Sequence, residues 1–256
     1  MSGSFNRAVI SLVASVLCFG SYGFAQNQPS ARETAPFDLT GYWVTIIAPD
    51  WRERMVTPAK GDYLGVPITA AAQKVADAWD PAKDEAAGEQ CKSYGAPALI
   101  ATSTRLHITW QDDNTLKVES DFGMQARLFH FGDHKSSAGP ATWQGDSAAA
   151  WELSRGAGMA AGRGRDNGRG TRFGDLKITT THVRPGYLRK NGIPYGANVR
   201  VTEYWDWVKD PDGVGRIMIT QQIDDPEYLF RSWVATYNFK QEPNAQKWNP
   251  TPCSSR

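Results

Sequence analysis

The sequence predicts an all-β fold, either an antiparallel barrel or a strongly curled antiparallel sheet of about nine strands, with one short helix in its N-terminal part. Nine segments combine β-branched and aromatic residues with an alternation of apolar and polar side chains, which is typical of strands with one buried face. A single stretch has a helical pattern. An open antiparallel sheet of this size would leave edges exposed, so closure is favoured.

The N-terminus has the pattern of a signal peptide over residues 1–25. A basic residue precedes a mainly apolar run at residues 8–20, and Gly23 and Ala25 place small side chains at the −3 and −1 positions of a cleavage site before Gln26. The run is shorter than the roughly 20 apolar residues that a membrane-spanning helix needs. We therefore expect export to the periplasm or the medium, and no membrane span.

Two cysteines, Cys91 and Cys253, would remain after cleavage, in an oxidising compartment. The predicted state is a disulfide that closes a loop of about 160 residues, which on a chain-entropy basis stabilises the fold by roughly 4 to 5 kcal/mol. The two thiols are far apart in sequence and lack neighbouring ligands, so neither a redox pair nor a zinc site is predicted.

Residues 26–36 are polar and contain prolines, which predicts a flexible linker ahead of a single domain over residues 37–256. The first strand is predicted over residues 38–47, a run of β-branched and aromatic residues that ends before Pro49. The helix is predicted over residues 69–79. It begins at a threonine that can cap its N-terminus, continues through alanine-rich turns and ends before an Asp-Pro pair.

The clearest strands form a predicted hairpin over residues 104–110 and 115–120. Leu106, Ile108 and Trp110 share one face of its first strand, and the connecting turn is rich in Asp and Asn. The hairpin therefore has one apolar side. Six further strands are predicted over residues 124–131, 149–153, 176–184, 198–208, 216–223 and 233–239.

The first strand opens with Gly-Tyr-Trp at residues 41–43, and Arg231 lies close to the last strand. A Gly-x-Trp opening of this kind resembles that of lipocalin-type barrels. The resemblance implies a lipocalin-like barrel in which the late arginine packs on Trp43. The chain also resembles a broad group of uncharacterised exported bacterial proteins over residues 143–147, 151–152, 181–192 and 224–228. That second resemblance implies a common domain and no particular reaction.

Residues 155–172 are rich in glycine and arginine. Such repeats bind polyanions in other proteins, but this segment has no interleaved aromatic residues on which bases could stack. Since it lies between two predicted strands, we predict a flexible, solvated loop. With 28 Lys and Arg against 27 Asp and Glu, the chain has no overall charge to attract nucleic acid or an anionic membrane. No nucleic-acid partner is therefore predicted.

The four histidines and the carboxylates are the candidates for chemistry. No two histidines have the spacing of a metal-binding pair on one element, and no cofactor fingerprint or nucleophile motif occurs, so we predict no metal and no cofactor. His130 shares its strand face with Leu128 and Ala126, which would allow it to point into a barrel. His182 ends a threonine-rich strand ahead of a loop that carries Tyr187.

Ten Trp, ten Phe and nine Tyr are more than core filling alone suggests. Strand alternation places Trp205 and Trp207 on the same face. Indole side chains suit a concave site for a flat, partly apolar ligand. The predicted ligand-binding residues are Trp143, Arg189, His130, Trp205 and Trp207. The alternative is that the tryptophans only fill the ends of the barrel.

Besides a purely structural role in the cell envelope, two functions stay open on the sequence. The first is an exported binding protein that holds a small, partly apolar or aromatic molecule in the mouth of the barrel. The second is a cofactor-independent lyase, isomerase or hydrolase that uses acid–base chemistry of His182, Tyr187 and Glu203. His182 and Glu203 lie on neighbouring predicted strands, so a hairpin would bring them into one pocket with Tyr187, Arg189 and Trp143.

Overall fold

The predicted strands form a closed barrel. The computed structural model describes residues 28–47, 51–134, 136, 138–154 and 173–255. The predicted leader, residues 1–25, and the predicted Gly- and Arg-rich loop, residues 155–172, lie outside this described part.

Nine strands make the barrel and two short strands form a separate hairpin. In chain order they are β1 (Gly41–Ile46), β2 (Arg105–Asp112), β3 (Thr115–Ser120), β4 (Gln125–Phe131), β5 (Asp146–Ser154), β6 (Phe173–Thr181), β7 (Gly186–Tyr187), β8 (Pro194–Tyr195), β9 (Arg200–Lys209), β10 (Gly215–Asp224) and β11 (Trp233–Glu242). The order around the barrel is β1-β11-β10-β9-β6-β5-β4-β3-β2, and β7 pairs with β8. Each predicted strand overlaps one barrel strand, so the predicted all-β barrel is confirmed.

One pair of strands departs from the predicted antiparallel arrangement. β4 and β5 run parallel, with Phe129 opposite Ser147. The connection between them, residues 132–145, includes Thr142, which pairs with Val183. Parallel neighbours need a connection of about a dozen residues or more, and this segment supplies it.

Alternate residues of the strands point inward and fill the barrel. Phe129 packs edge-on against Trp205, with ring centroids 5.4 Å apart. The largest buried apolar side chains of this core include Trp43, Leu106, Phe129, Trp205 and Phe239. The interior of the barrel is therefore a packed core.

The N-terminal segment is attached to one end of the barrel. It contains α1 (Ala31–Thr34). The Ala31 carbonyl accepts a hydrogen bond of 2.8 Å from Trp151 Nε1, and the Ala31 amide donates one of 2.8 Å to Asn114 Oδ1. Within the segment predicted to be a flexible linker, Ala31 is therefore hydrogen-bonded to the barrel.

The other end of the barrel is called the helical end. β1 and β3 finish there, and β2, β4, β5 and β11 start there. Around it lie α2 (Trp51–Met55), α3 (Ala70–Ala78), α4 (Pro81–Ala86), a 3₁₀ helix (Gln90–Tyr94) and α5 (Ala96–Leu99). The predicted helix is confirmed as α3, and the Thr69 hydroxyl caps it by accepting from the Ala72 amide at 3.2 Å. The sequence predicted one helix here, so the others were missed.

A buried segment covers part of the helical end. Every residue from 93 to 100 is buried, and Gln221 Nε2 donates to the Ala96 carbonyl at 3.4 Å. After β11 the C-terminal segment returns to this end, where Thr251 pairs with Phe122. The disulfide between Cys91 and Cys253 then joins that segment to the 3₁₀ helix, which confirms the predicted bond.

The predicted packing of Arg231 on Trp43 is wrong. Trp43 is fully buried and lies opposite Gln241, near the end of β11. Arg231 precedes β11 and is exposed, with its guanidinium 6.0 Å from the centre of the Phe230 ring. The length of β11 therefore separates the two residues.

Candidate functional site

A cavity of about 760 Å³ opens at the helical end. Its walls come from the segment that contains α2, from α5, from the loop between β7 and β8, and from the start of β11. Ala98, Leu188 and Tyr237 are buried and form its floor, whereas Met55 and Leu64 are exposed at its rim. The volume lies within the range of pockets that hold drug-sized molecules.

Arg54 fixes one positive charge at the cavity wall. Its Nε donates to the Ala101 carbonyl and its Nη1 to the Ile46 carbonyl, both at 3.1 Å. The guanidinium carbon lies 5.1 Å from the centre of the Tyr237 ring, within the range of a cation–π contact. These contacts join α2 to the barrel.

Arg189 provides a second cation, from the loop between β7 and β8. Its Nη1 donates to the Leu64 carbonyl at 2.8 Å, and its guanidinium carbon lies 5.5 Å from the centre of the Trp233 ring. Arg189 therefore connects the rim of the cavity to the start of β11.

Lys190 is the third cation in the wall. Its Nζ lies 5.6 Å from the ring centres of both Tyr94 and Phe122. Burial lowers the pKa of this ammonium group, and the negative charge of Glu85 acts in the opposite direction. None of the described residues that line the cavity is Asp or Glu.

The predicted catalytic residue His182 lies outside this cavity lining and pairs with Asp146. Its Nδ1 is 3.0 Å from Asp146 Oδ2, and about a third of the His182 side chain is exposed. The backbone of His182 has φ 55°, in the left-handed region that is uncommon outside glycine. This turn after β6 aims the imidazole at the first residue of β5.

Tyr187 and Trp143, also predicted to belong to the site, lie in other surroundings. Tyr187 lines a smaller cavity of about 430 Å³ beside α3 and α4. Burial, and then the negative charge of Asp84, raise the pKa of the Tyr187 hydroxyl. The guanidinium carbon of Arg184 lies 4.3 Å from the centre of the Trp143 ring. Of the five residues predicted to share a pocket, Arg189 alone lines the larger cavity.

Glu203 is buried inside the barrel. Its carboxylate accepts hydrogen bonds from both terminal nitrogens of Arg127, at 3.1 and 2.5 Å. Arg127 also donates to the Thr180 hydroxyl at 3.1 Å. The hydroxyl oxygens of Thr180 and Ser147 lie 2.7 Å apart. A carboxylate held in this way is a structural anion, out of reach of a molecule in the cavity.

His130 faces away from the barrel interior, so the suggestion that it points inward is wrong. Arg127 and Phe129 are the buried residues of β4, and strand alternation turns His130 outward. Its ring stacks on that of His134 with centroids 3.9 Å apart. Burial, followed by the charge of His134, lowers the pKa of His130.

Trp205 and Trp207 share one face of β9, as predicted. This face points into the barrel, and both side chains pack in the core. Trp205 is fully buried, and the ring of Trp207 stacks on Phe37 at the end of the barrel remote from the cavity. This placement matches the alternative in which the tryptophans fill the barrel.

Most of the residues that line the cavity could not be predicted from the sequence, among them Arg54, Lys190, Trp233 and Tyr237. They come from separate segments, so no spacing links them. One signal was present: Lys190 directly follows Arg189 in a loop bounded by Pro-Gly and Asn-Gly pairs, a type of loop that presents side chains at the end of a sheet.

No group of His, Cys, Asp and Glu that could hold a metal ion occurs within the described part of the chain. Among the same residues, no helix has both the length and the apolar character needed to cross a membrane. No protein-family profile, curated protein or solved structure matches the chain.

Proposed function

We propose that this protein binds a small, partly apolar molecule in the cavity at the helical end. The observation that carries the proposal is a cavity of about 760 Å³ with a buried apolar floor and a few fixed polar groups in its walls. Small-molecule sites have this composition, in which apolar surface supplies affinity and a few polar groups fix the orientation.

A neutral fluorescent probe, N-phenyl-1-naphthylamine, tests the proposal. Thr236 lines the cavity and is exposed on β11, and it lies opposite Thr220 of β10, which does not line it. Thr236→Trp should fill the cavity and abolish saturable probe binding, because strands tolerate aromatic residues. The matched control Thr220→Trp should bind like the wild type. Equal probe binding by Thr236→Trp and the wild type would refute the proposal.

The proposed place of action is outside the cytoplasm, after removal of residues 1–25. The disulfide between Cys91 and Cys253 indicates a non-reducing compartment and supports this location. Expression of the full chain followed by N-terminal sequencing of the exported protein should give Gln26 as its first residue. Retention of the whole chain inside the cell would contradict it.

An acid–base enzyme is the second candidate, and the pair His182–Asp146 is the observation that favours it. A carboxylate that accepts from Nδ1 leaves Nε2 to act on a substrate, which is the usual arrangement of a general base. The partners first predicted for His182 do not support it, since Glu203 is buried with Arg127. Binding remains the function that the geometry supports best.

A further inference from the structure

The positive charge of the cavity wall bears on the kind of molecule that it accepts. Arg54, Arg189 and Lys190 all line it, and no described lining residue is acidic. Each cation lies over at least one aromatic ring, which holds the charge at the wall. A ligand with an anionic group would be attracted to these cations, whereas a cationic ligand would be repelled by them.

The three cations have different surroundings. Arg54 donates to two backbone carbonyls that anchor α2, so its main role is structural. Arg189 and Lys190 are consecutive in a short loop that is closed by a hydrogen bond of 2.7 Å from the Leu188 amide to the Ile193 carbonyl. That loop therefore presents two adjacent cations to the cavity on a fixed backbone.

Resting on the proposed binding function, we infer that the ligand is an amphiphilic anion whose anionic group is bound by Lys190 and Arg189. Its apolar body would lie on the buried floor at Ala98, Leu188 and Tyr237. The half-buried position of Lys190 supports this assignment, because the attraction between opposite charges is stronger in a partly desolvated site than in water. Arg and Lys together suit a carboxylate, sulfonate or phosphate.

A pair of probes that differ by one anionic group tests the inference. 1-Anilinonaphthalene-8-sulfonate has the body of N-phenyl-1-naphthylamine with one added sulfonate. The wild type should bind the sulfonate more tightly than the neutral probe. Lys190→Met should weaken sulfonate binding by about tenfold and leave the neutral probe unchanged, since one charge-assisted contact is lost. Decanoate should displace the bound sulfonate at a lower concentration than decanol does.

Lys83→Met is the matched control, because Lys83 is 84% exposed and does not line the larger cavity. It should bind both probes like the wild type, and Lys190→Arg should keep the preference for the anion. Arg189→Gln provides a second test if Lys190→Met does not fold. Equal affinity of the wild type for the two probes, or equal weakening of both by Lys190→Met, would overturn the inference while leaving the binding function intact. Loss of the binding function itself is diagnosed separately, by unchanged probe binding in Thr236→Trp.

Discussion

Arg127 and Glu203 form an ion pair inside the barrel, with Nη2 2.5 Å from Oε2 and neither side chain more than 1% exposed. Removing one partner leaves the other charge buried and uncompensated. We expect Glu203→Leu and Arg127→Met each to lower the free energy of unfolding by about 3–5 kcal/mol, measured by urea denaturation. The double variant should regain much of that loss, because no buried charge remains. A double variant as unstable as the sum of the single ones would contradict this account.

The disulfide should contribute strongly to stability because it closes a loop across a sequence separation of 162 residues. Replacing Cys91 and Cys253 by Ala should cost up to about 5 kcal/mol and lower Tm by roughly 10 °C or more. Dithiothreitol should lower the Tm of the wild type to the same value. The alanine variant, which has no bond to lose, should not respond to the reductant.

Asp175 makes stability fall as the pH rises. A hydrogen bond with Asp206, then burial and the repulsion between the two carboxylates, raise the pKa of Asp175 to about 6. The folded protein therefore holds this proton more tightly than the unfolded chain, whose Asp has a pKa of about 3.9. The stability that the proton provides is complete below about pH 4 and is lost as the pH rises to about 6.

Asp175→Asn removes this repulsion and should raise Tm above that of the wild type at pH 7.5. At pH 4 the difference should disappear, because Asp175 of the wild type is then protonated. Asp133→Asn, a change at an exposed carboxylate in the segment after β4, is the control and should show no such pH-dependent gain. An equal gain in Tm for Asp175→Asn at both pH values would show that protonation of Asp175 is not its cause.

Gly192 permits a close contact between the loop after β7 and the turn after α3. Its φ is +88°, and a Cβ at this position would lie 2.3 Å from Trp79 Cβ. Gly61 has φ +90° but open space around it, so it is a matched control for backbone strain alone. Gly61→Ala should lower the free energy of unfolding by about 1 kcal/mol. Gly192→Ala should lower it further, because a steric overlap is added to the backbone strain. If urea denaturation gave the same loss in the free energy of unfolding for both variants, the structure around Trp79 would accommodate the added methyl group without a loss of stability.

His182 separates the two candidate functions. Since it does not line the larger cavity, His182→Ala should leave the affinity for N-phenyl-1-naphthylamine unchanged. Fluorescence titration of this variant beside Thr236→Trp measures the effect directly. A large loss of probe affinity in a folded His182→Ala protein would place the site near the His182–Asp146 pair instead.

The barrel could be predicted because strand alternation is a local signal. The runs around Leu106, Ile108 and Trp110, for example, carry their burial pattern in consecutive residues. The parallel pairing of β4 with β5 could not be predicted, since it depends on the path of residues 132–145. The lipocalin-like resemblance was not informative about Arg231, whose position depends on the length of β11.

The candidate site was less predictable than the fold. The sequence predicts a catalytic role for Glu203, although the alternation of β9, which puts Glu203 on the same face as Val201 and Trp205, indicates an inward, buried position. The cavity, in contrast, is formed by segments that only the folded chain brings together. Lys190 and Trp233 are 43 positions apart, and nothing local to either residue indicates the other.

The covalent ring closed by Cys91 and Cys253 contains every barrel strand except β1. A protease that cut once between the two cysteines would therefore leave a single molecule, which would run as one band without reductant and as two fragments with it. Cys253 also follows all nine barrel strands in the chain, so the ring cannot close until the last of them has been synthesised. The disulfide at the helical end therefore forms only after synthesis has reached Cys253, and a chain truncated before Cys253 lacks it.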